Sequence, residues 1–151
     1  MKLDSLDRAL LKNLQSDGRL SLRELGRALK VPHTTVFTRV NKLMSKGVIK
    51  NFTAILHPHD LGFKLNFVVI DVPEHESKDV AARVAECSEV LKVFRTGEGK
   101  IIAKAISSEE GPKCLEGLMS KLTGYNVNVY PINEVVKYDD RIHDDYIDQV
   151  G

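Results

Sequence analysis

Apolar residues in the first part of the chain recur at helical spacing. Leu6, Leu10 and Leu14 lie four positions apart, which predicts that they share one face of a helix. Asp4 is placed to cap this helix at its start, and Gly18 is placed to end it. The chain therefore opens with a short amphipathic helix.

Two further helices follow, separated by a tight break. Residues 21–24, Ser-Leu-Arg-Glu, form a capping-box pattern that predicts the start of the second helix. Val31-Pro32 ends that helix, because the residue before a proline avoids the helical conformation. A third helix is predicted from about His33 to Lys46, with Val36, Val40 and Leu43 on its inner face. This arrangement is typical of a helix-turn-helix motif.

The pattern changes after Gly47 to alternating and β-branched residues. Residues 48–56 predict one extended strand, and the turn-forming residues 57–62 indicate a domain boundary. The elements predicted beyond it are strands at 63–72, 90–96, 100–107 and 127–137 and helices at 76–86 and 109–122. Their order, βαββαβ, is that of a ferredoxin-like fold, so the predicted class is α+β. The acidic residues 138–151 are expected to form a tail or a short extra helix.

Charge is distributed unevenly along the 151 residues. The net charge of +1 is the sum of +7 over residues 1–50, the head of the chain, and −6 over residues 51–151. Such asymmetry favours a polyanionic partner for the head alone. The longest apolar run, residues 67–70, is far too short to cross a bilayer, so no membrane partner is expected.

The two cysteines, Cys87 and Cys114, lack CxxC spacing. This count argues against a disulfide scaffold and a cysteine-rich zinc site, and it favours a reducing, cytoplasmic location. Both residues are expected as free thiols on the inner faces of their helices, where a thiol behaves as a small hydrophobic group.

The third helix has the polar side chains that a DNA-reading helix needs. Short hydroxyl and amide groups near its N-terminus can reach base edges in the major groove, and arginine or lysine suits guanine or phosphate. Cations on the second helix are expected to contact backbone phosphates. The predicted DNA-binding set is Ser21, Arg23, Arg27, His33, Thr34, Thr35, Thr38, Arg39 and Lys42.

Three stretches resemble the leucine-responsive/asparagine-activator (Lrp/AsnC) family of transcription regulators. They are LDRALLKNLQSDGRLSLRELGRAL, TTVFTRVNKLMSKGVIKNFTAILHPHDLG and INEVVK, which occur in the family's order and cover nearly the whole chain. The resemblance implies a winged helix-turn-helix domain at 1–50, a hinge strand and linker at 51–61, and a ferredoxin-like effector and assembly domain at 62–151. It also implies homodimers that assemble further into tetramers or octamers on double-stranded DNA.

The family also implies control by a free amino acid bound between C-terminal domains. The turn of residues 96–100 suits such a ligand, because glycine lets backbone N–H groups approach it and Glu98 can face its ammonium group. Glu98 and Lys100 depart from the family's Gly-Asp-x-Asp turn at both acidic positions. The predicted effector-binding set is Thr96, Gly97, Glu98, Gly99, Lys100, Tyr130, Pro131 and Ile132.

No other chemistry is predicted. The cluster His57-x-His59 with Asp60 lies at a proline turn and lacks a third ligand that converges with it, so no metal is expected. No nucleophile elbow, phosphate loop or dinucleotide fingerprint occurs, so no enzyme activity or cofactor is expected. The sequence therefore predicts a cytoplasmic, sequence-specific DNA-binding regulator. Two alternatives remain open: a ferredoxin-like ligand-binding domain that regulates an enzyme, and an architectural DNA-binding protein without an effector.

Overall fold

The computed structural model describes residues 2–150, whose contacts separate them into two compact units. The first unit contains the residues up to 55 together with those from 138 onward. The second unit contains residues 56–137.

Three helices form the body of the first unit, as the apolar spacing predicted. They are α1 (Ser5–Ser16), α2 (Leu22–Leu29) and α3 (His33–Ser45). Asp4 and Ser21 each complete a capping box, in which two orphan N–H groups are satisfied reciprocally. The helices enclose a small core of buried aliphatic residues, namely Leu10, Leu25, Val36 and Val40.

The turn between α2 and α3 is held by close backbone packing. The Val31 N–H donates to the Gly26 carbonyl at 3.0 Å, and Lys30 adopts a left-handed conformation with φ of 56°. A Cβ atom on Gly26 would lie 2.8 Å from the Val31 carbonyl oxygen. A glycine is therefore required at position 26 for α3 to follow α2 this closely. The three helices and this turn confirm the helix-turn-helix prediction.

The acidic tail belongs to the first unit and not to the ferredoxin-like domain predicted at 62–151. Its helix α6 (Asp144–Asp148) packs on α1, with Ile147 buried and Lys12 Nζ 2.7 Å from Asp148 Oδ2. The Gln15 side chain donates to the Ile142 carbonyl at 3.0 Å and accepts from the Ile142 N–H at 2.8 Å. A five-residue helix is too short to show which element it contacts, so the sequence pattern missed this packing.

Antiparallel strands form the second unit, in the order β2-β3-β1-β4. The strands are β1 (Lys64–Asp71), β2 (Val90–Arg95), β3 (Lys100–Ser107) and β4 (Asn126–Ile132), and the helices are α4 (Glu74–Ala85) and α5 (Cys114–Met119). This is the predicted ferredoxin-like topology. Val68 pairs with Ala103 and Ile70 with Ile101, and all four are buried in the core that α4 and α5 complete.

The opposite face of the sheet carries no helix of this unit and mixes apolar side chains with Lys92, Lys104 and Asn128. Because side chains alternate along a strand, Phe67, Val69 and Ile102 point to this open face, where each is half-buried. Phe94 and Tyr130 continue it on the neighbouring strands and are 50% and 53% exposed.

The extended strand predicted at 48–56 is not formed. Among the described residues before position 64 there is no strand, so the first unit has neither a paired wing nor a paired hinge strand. A strand needs a ladder of backbone hydrogen bonds to a neighbouring strand, and the four strands of the described chain pair only with one another. The boundary turn at 57–62 contains a 3₁₀ turn, His59–Leu61.

Two elements are shorter than predicted. The helix predicted at 109–122 begins only at Cys114, because Pro112 disfavours the helical conformation of the residue before it. The strand predicted at 127–137 ends at Ile132, which pairs with Leu65. β1 begins at Lys64, so it offers no partners to residues further along β4.

The two cysteines form a disulfide rather than the predicted free thiols. Cys87 follows α4 and Cys114 begins α5, and their Cα atoms are 5.4 Å apart. Two cysteines 27 positions apart give no sequence signal of pairing. The bond joins the two helices that cover the sheet.

Candidate nucleic-acid interface and ligand turn

The outer face of α3 presents polar side chains to solvent. Thr34, Thr38 and Lys42 are exposed, whereas Thr35 is half-buried. The Thr38 hydroxyl donates to the Thr34 carbonyl at 3.0 Å, so its oxygen remains able to accept a hydrogen bond. Opposite them, Val36, Val40 and Leu43 are buried. The packing of α3 thus fixes which side chains can meet a nucleic acid.

The N-terminus of α3 lies beside a cluster of cations. Pro32 precedes the helix, and no side chain caps it. Of the described residues, none forms an ion pair within 4.0 Å of Arg23, Lys30 or Lys42. Uncapped N–H groups and nearby cations suit a phosphate group. The depression at this point is lined by Arg23, Gly26, Arg27, Lys30, Val31, Pro32 and His33.

Ser21 has a structural role at the start of α2. Its hydroxyl lies 2.7 Å from Glu24 Oε2, its N–H donates to the same oxygen at 2.8 Å, and its Oγ accepts from the Glu24 N–H at 3.2 Å. The capping box satisfies the hydrogen-bonding groups of both residues and fixes the start of α2, the helix that carries Arg23 and Arg27. Phosphate contact by Ser21 remains a prediction.

Arg39, predicted as a DNA contact, is held within the first unit. Its guanidinium donates to Asp4 and, at 3.1 Å, to Oδ1 of the fully buried Asp7. The pKa of Asp4 is lowered first by the N–H of Asp7 and then by the Arg39 hydrogen bond. These bonds fasten α3 to the start of α1, so the geometry favours a stabilising role for Arg39 over contact with bases.

Phe37 is an interface candidate that the sequence pattern did not reveal. It lies on α3 between Thr34 and Thr38 and is 54% exposed. Helical spacing places it beside Thr34 and away from Val36 and Val40, outside the buried stripe. An exposed phenylalanine on this face can contact the methyl group of thymine.

The turn predicted to hold an effector joins β2 to β3 and is held by its own threonine. The Thr96 N–H donates to the Lys100 carbonyl at 2.9 Å, and Thr96 Oγ1 accepts from the N–H groups of Glu98 and Lys100 at 3.3 and 3.2 Å. Gly99 has φ of 80°, and a Cβ there would lie 2.2 Å from the Val72 carbonyl oxygen. Two of the N–H groups expected to face a ligand are therefore already bonded within the turn.

Lys100 is paired across the sheet. Its Nζ donates to Asp71 Oδ1 at 2.8 Å, and Asn126 Nδ2 donates to the other oxygen at 3.1 Å. The hydrogen bond to Lys100 holds the pKa of Asp71 below its ordinary value, and the same bond raises the pKa of Lys100. Glu98 is exposed and remains the acidic side chain at the tip of the turn.

The two groups of predicted effector residues lie at different positions along the sheet. Lys100 pairs with Asp71 at the end of β1, whereas Pro131 pairs with Asn66 near its start. Five residues of extended strand span about 16 Å. Tyr130 nevertheless lies close enough to the turn for its charge to help raise the pKa of Lys100.

The chain is similar in sequence and in structure to known proteins. Residues 3–44 match the AsnC-type helix-turn-helix domain. The chain is 37% identical over 150 residues to the HTH-type transcriptional regulator PH1013 of Pyrococcus horikoshii, covering 91% of this chain and 92% of that protein. This chain belongs to the Lrp/AsnC family.

Other relatives agree on the family and differ in extent. PH0140 of the same organism is 40% identical over 91 residues, which cover 60% of this chain but only 58% of that relative's length. Among solved structures, the leucine response regulatory protein LrpA of Mycobacterium tuberculosis superposes with a TM-score of 0.76 at 27% identity, covering 93% of this chain and 99% of the other.

A more distant structure shares the fold. The transcriptional regulator NMB0573 of Neisseria meningitidis, solved as a complex with L-Met, superposes with a TM-score of 0.74 at 20% identity, covering 96% of this chain and 99% of the other. Within residues 2–150, no helix is both long and apolar enough to cross a bilayer.

Proposed function

We propose that this chain is a sequence-specific DNA-binding transcription regulator without catalytic activity. In this proposal α3 enters the major groove, Thr34, Thr38 and Lys42 reach base edges, and Arg23 and Arg27 bind backbone phosphates. The observation that carries the proposal is the uncapped N-terminus of α3 beside exposed cations. A protein with this role works at the chromosome, so the proposal includes a cytoplasmic location.

The charge of the folded unit supports selective DNA contact. The tail adds five aspartates and one arginine, so the first unit carries a net charge of +3 rather than the +7 of residues 1–50. Its contacts with α1 engage Lys12, and the cations lining the depression beside α3 are not among them. The positive field is thereby concentrated at the proposed DNA-facing surface.

The test begins with selection of a binding site from a pool of random duplexes. A gel-shift assay then compares the selected site with a scrambled one over a range of salt concentrations. The double variant Arg23→Ala/Arg27→Ala is expected to weaken both DNAs alike and to reduce the salt slope by about two per head, since each neutralised phosphate contributes about 0.9. Lys121→Ala, an exposed cation of the second unit, is the control.

A different result would contradict the proposal. Equal affinity for selected and scrambled DNA would indicate an architectural protein. Unchanged binding by the Arg23/Arg27 double variant would mean that the depression beside α3 does not face phosphate.

We further propose that two copies pair through the open faces of their sheets. The apolar side chains there, including Phe67, Val69 and Phe94, are expected to become buried on association. Residues 51–61 would then act as a hinge strand that pairs with the same residues of the second copy, as the family resemblance implies. A two-fold dimer also presents two recognition helices to half-sites about one helical turn apart.

Light scattering coupled to size-exclusion chromatography tests the pairing. Phe94→Glu is expected to shift the wild-type dimer, or a tetramer or octamer built from it, toward monomer. Glu109→Lys, an exposed change outside this face, should leave the mass unchanged. A wild-type chain that elutes as a monomer at micromolar concentration would contradict the proposal.

An amino-acid effector is the third part of the proposal. Glu98 at the tip of the turn can accept a hydrogen bond from the ammonium group of the ligand, and the exposed Gly97 backbone can approach its carboxylate. Tyr130 lies close enough to Lys100 to help raise the pKa of Lys100, so it is the member of residues 130–132 that we expect to reach the same ligand. The L-Met complex of the structural neighbour supports this ligand class, at the level of a shared fold.

Thermal-shift measurements with each of the twenty amino acids test the effector. A ligand at about 100 times its Kd is expected to stabilise the protein by about 2.7 kcal/mol, and Glu98→Gln should reduce the shift. Glu109→Gln is the matched control. If no amino acid shifts Tm at millimolar concentration, the effector proposal is wrong while the DNA-binding proposal stands.

A further inference from the structure

The disulfide lies beside a buried carboxylate in the second unit. Ligand atoms of Cys87, Glu89 and Cys114 all lie within 4.8 Å of one another. Cys87 and Glu89 are buried, whereas Cys114 is exposed at the start of α5. Two sulfur atoms and one carboxylate oxygen thus converge at a site that opens to solvent on one side.

Glu89 is unusual because it is buried without a cationic partner. Its side chain accepts the Leu115 N–H at 2.6 Å and lies 3.5 Å from the Ser88 hydroxyl, and the residue is 7% exposed. Within residues 2–150 no lysine, arginine or histidine forms an ion pair with it. Burying an ionised carboxylate is costly unless a positive charge compensates it. A metal cation between the three residues would supply that charge.

We propose that reduction of the disulfide converts this cluster into a Zn²⁺ site. The Cys87 and Cys114 thiolates and one Glu89 oxygen provide three ligands, and water completes the tetrahedron on the exposed side of Cys114. Zinc binds sulfur at about 2.3 Å, so a tetrahedral site holds its two sulfurs about 3.8 Å apart. The Cα separation of 5.4 Å allows this after a modest opening of the side chains.

A dithiol can act as the reductant of the Cys87–Cys114 disulfide. Thiol–disulfide exchange breaks the Cys87–Cys114 bond, delivers two electrons and two protons to the sulfurs, and leaves the reductant as its own disulfide. Zinc then binds the two sulfurs as thiolates and releases their two protons to solvent.

The disulfide and the zinc ion would make the same connection. Each joins the end of α4 to the start of α5, so the oxidised form and the zinc-loaded reduced form are both cross-linked. The reduced, metal-free form is the only one without this connection. It is therefore expected to have the lowest Tm of the three, and this ranking does not depend on DNA or effector binding.

The experiment uses the full chain, reduced with a phosphine, freed of reductant under anaerobic conditions, and titrated with Zn²⁺ against a chromophoric chelator. The reduced chain is expected to bind one equivalent of zinc and the oxidised chain none. Cobalt(II) is the spectroscopic probe, and its thiolate charge-transfer band should appear only in the reduced chain. Equal zinc binding by reduced and oxidised protein would overturn the proposal.

Two variants assign the ligands. Cys114→Ser removes an exposed sulfur and should abolish the charge-transfer band of a two-thiolate site. Glu89→Gln can still accept the Leu115 N–H, and should weaken zinc binding about tenfold or more, since even groups that only support a ligand are worth about 10- to 100-fold. The control is Glu86→Gln, an exposed residue at the end of α4. Equal zinc affinity in the Glu89 and Glu86 variants would exclude Glu89 as a ligand.

Discussion

The two units differ in how much of their proposed site a single chain contains. In the first unit one helix presents the proposed base-reading face, and its own core fixes the orientation of that face. In the second unit the proposed ligand-binding residues lie on a turn and a strand of a sheet whose helix-free face is open. DNA contact would thus be a property of a subunit, whereas ligand control between paired sheets would be a property of an assembly.

The largest expected effects come from two glycines, one in each unit. Gly26→Ala places a Cβ 2.8 Å from the Val31 carbonyl, and Gly99→Ala places one 2.2 Å from the Val72 carbonyl at a positive φ. We expect a loss of about 2 kcal/mol for the first and about 3 kcal/mol for the second, because neither contact can relax without moving backbone. Hydrogen exchange should report the first loss in α2 and α3 and the second in β1 and β3.

Gly97→Ala is the control for both, since a methyl group at position 97 would meet no atom within 4 Å. It should change stability by less than about 0.5 kcal/mol. If Gly26→Ala loosened β1 and β3 as much as α2 and α3, the two units would not be independent in stability.

The tail tests the same independence of the two units, because its helix α6 follows the second unit in sequence but packs on α1 of the first. Ile147 is 5% exposed on α6, and Ile147→Ala is expected to cost about 2 kcal/mol in the first unit. Ile142→Ala is the matched control, since its side chain is 61% exposed and Gln15 bonds only its backbone. Faster hydrogen exchange in α1 for Ile147→Ala alone is the expected result, and equal exchange in both variants would contradict it.

The sequence predicted the elements whose periodicity is local. Leu10, Leu25 and Val36 mark the helical core, and the apolar run at 67–70 marks β1. The tail packing, the disulfide and the end of β4 could not be predicted, because each depends on a partner far along the chain. The exposed position of Phe37 lay within reach of helical-wheel reasoning, whereas the Arg39 ion pairs depend on where α1 lies.

Arg39 has the next largest expected effect. Arg39→Ala leaves the buried Asp7 without its cation, so Tm at pH 7 should fall by several degrees. Asp4 has a lowered folded-state pKa, so its ionisation stabilises the fold above pH 3.8 and this contribution is lost as pH falls through the folded-state pKa. The Tm difference between wild type and variant should therefore shrink below about pH 4.

Arg19→Ala is the control, because it also removes one cation but from an exposed pair with Asp17. Its Tm should change little, since exposed pairs contribute little to stability. If Arg39→Ala kept its Tm and instead altered the DNA sequence preference, Arg39 would be a base contact as the sequence suggested.

The smallest effect concerns Phe37, which tests whether the DNA-reading face includes an apolar contact. If its ring meets a thymine methyl, Phe37→Ala should weaken binding to the selected site about fivefold, which is about 1 kcal/mol. Replacing that thymine by uracil removes only the methyl group, so it should weaken wild-type binding by a similar factor and leave the variant unchanged. Met44→Ala, which removes an exposed apolar side chain of the same helix, should lose affinity equally for both DNAs or not at all. A uracil effect of equal size in wild type and Phe37→Ala would show that the ring does not read the methyl, and that the polar side chains of α3 alone distinguish the bases.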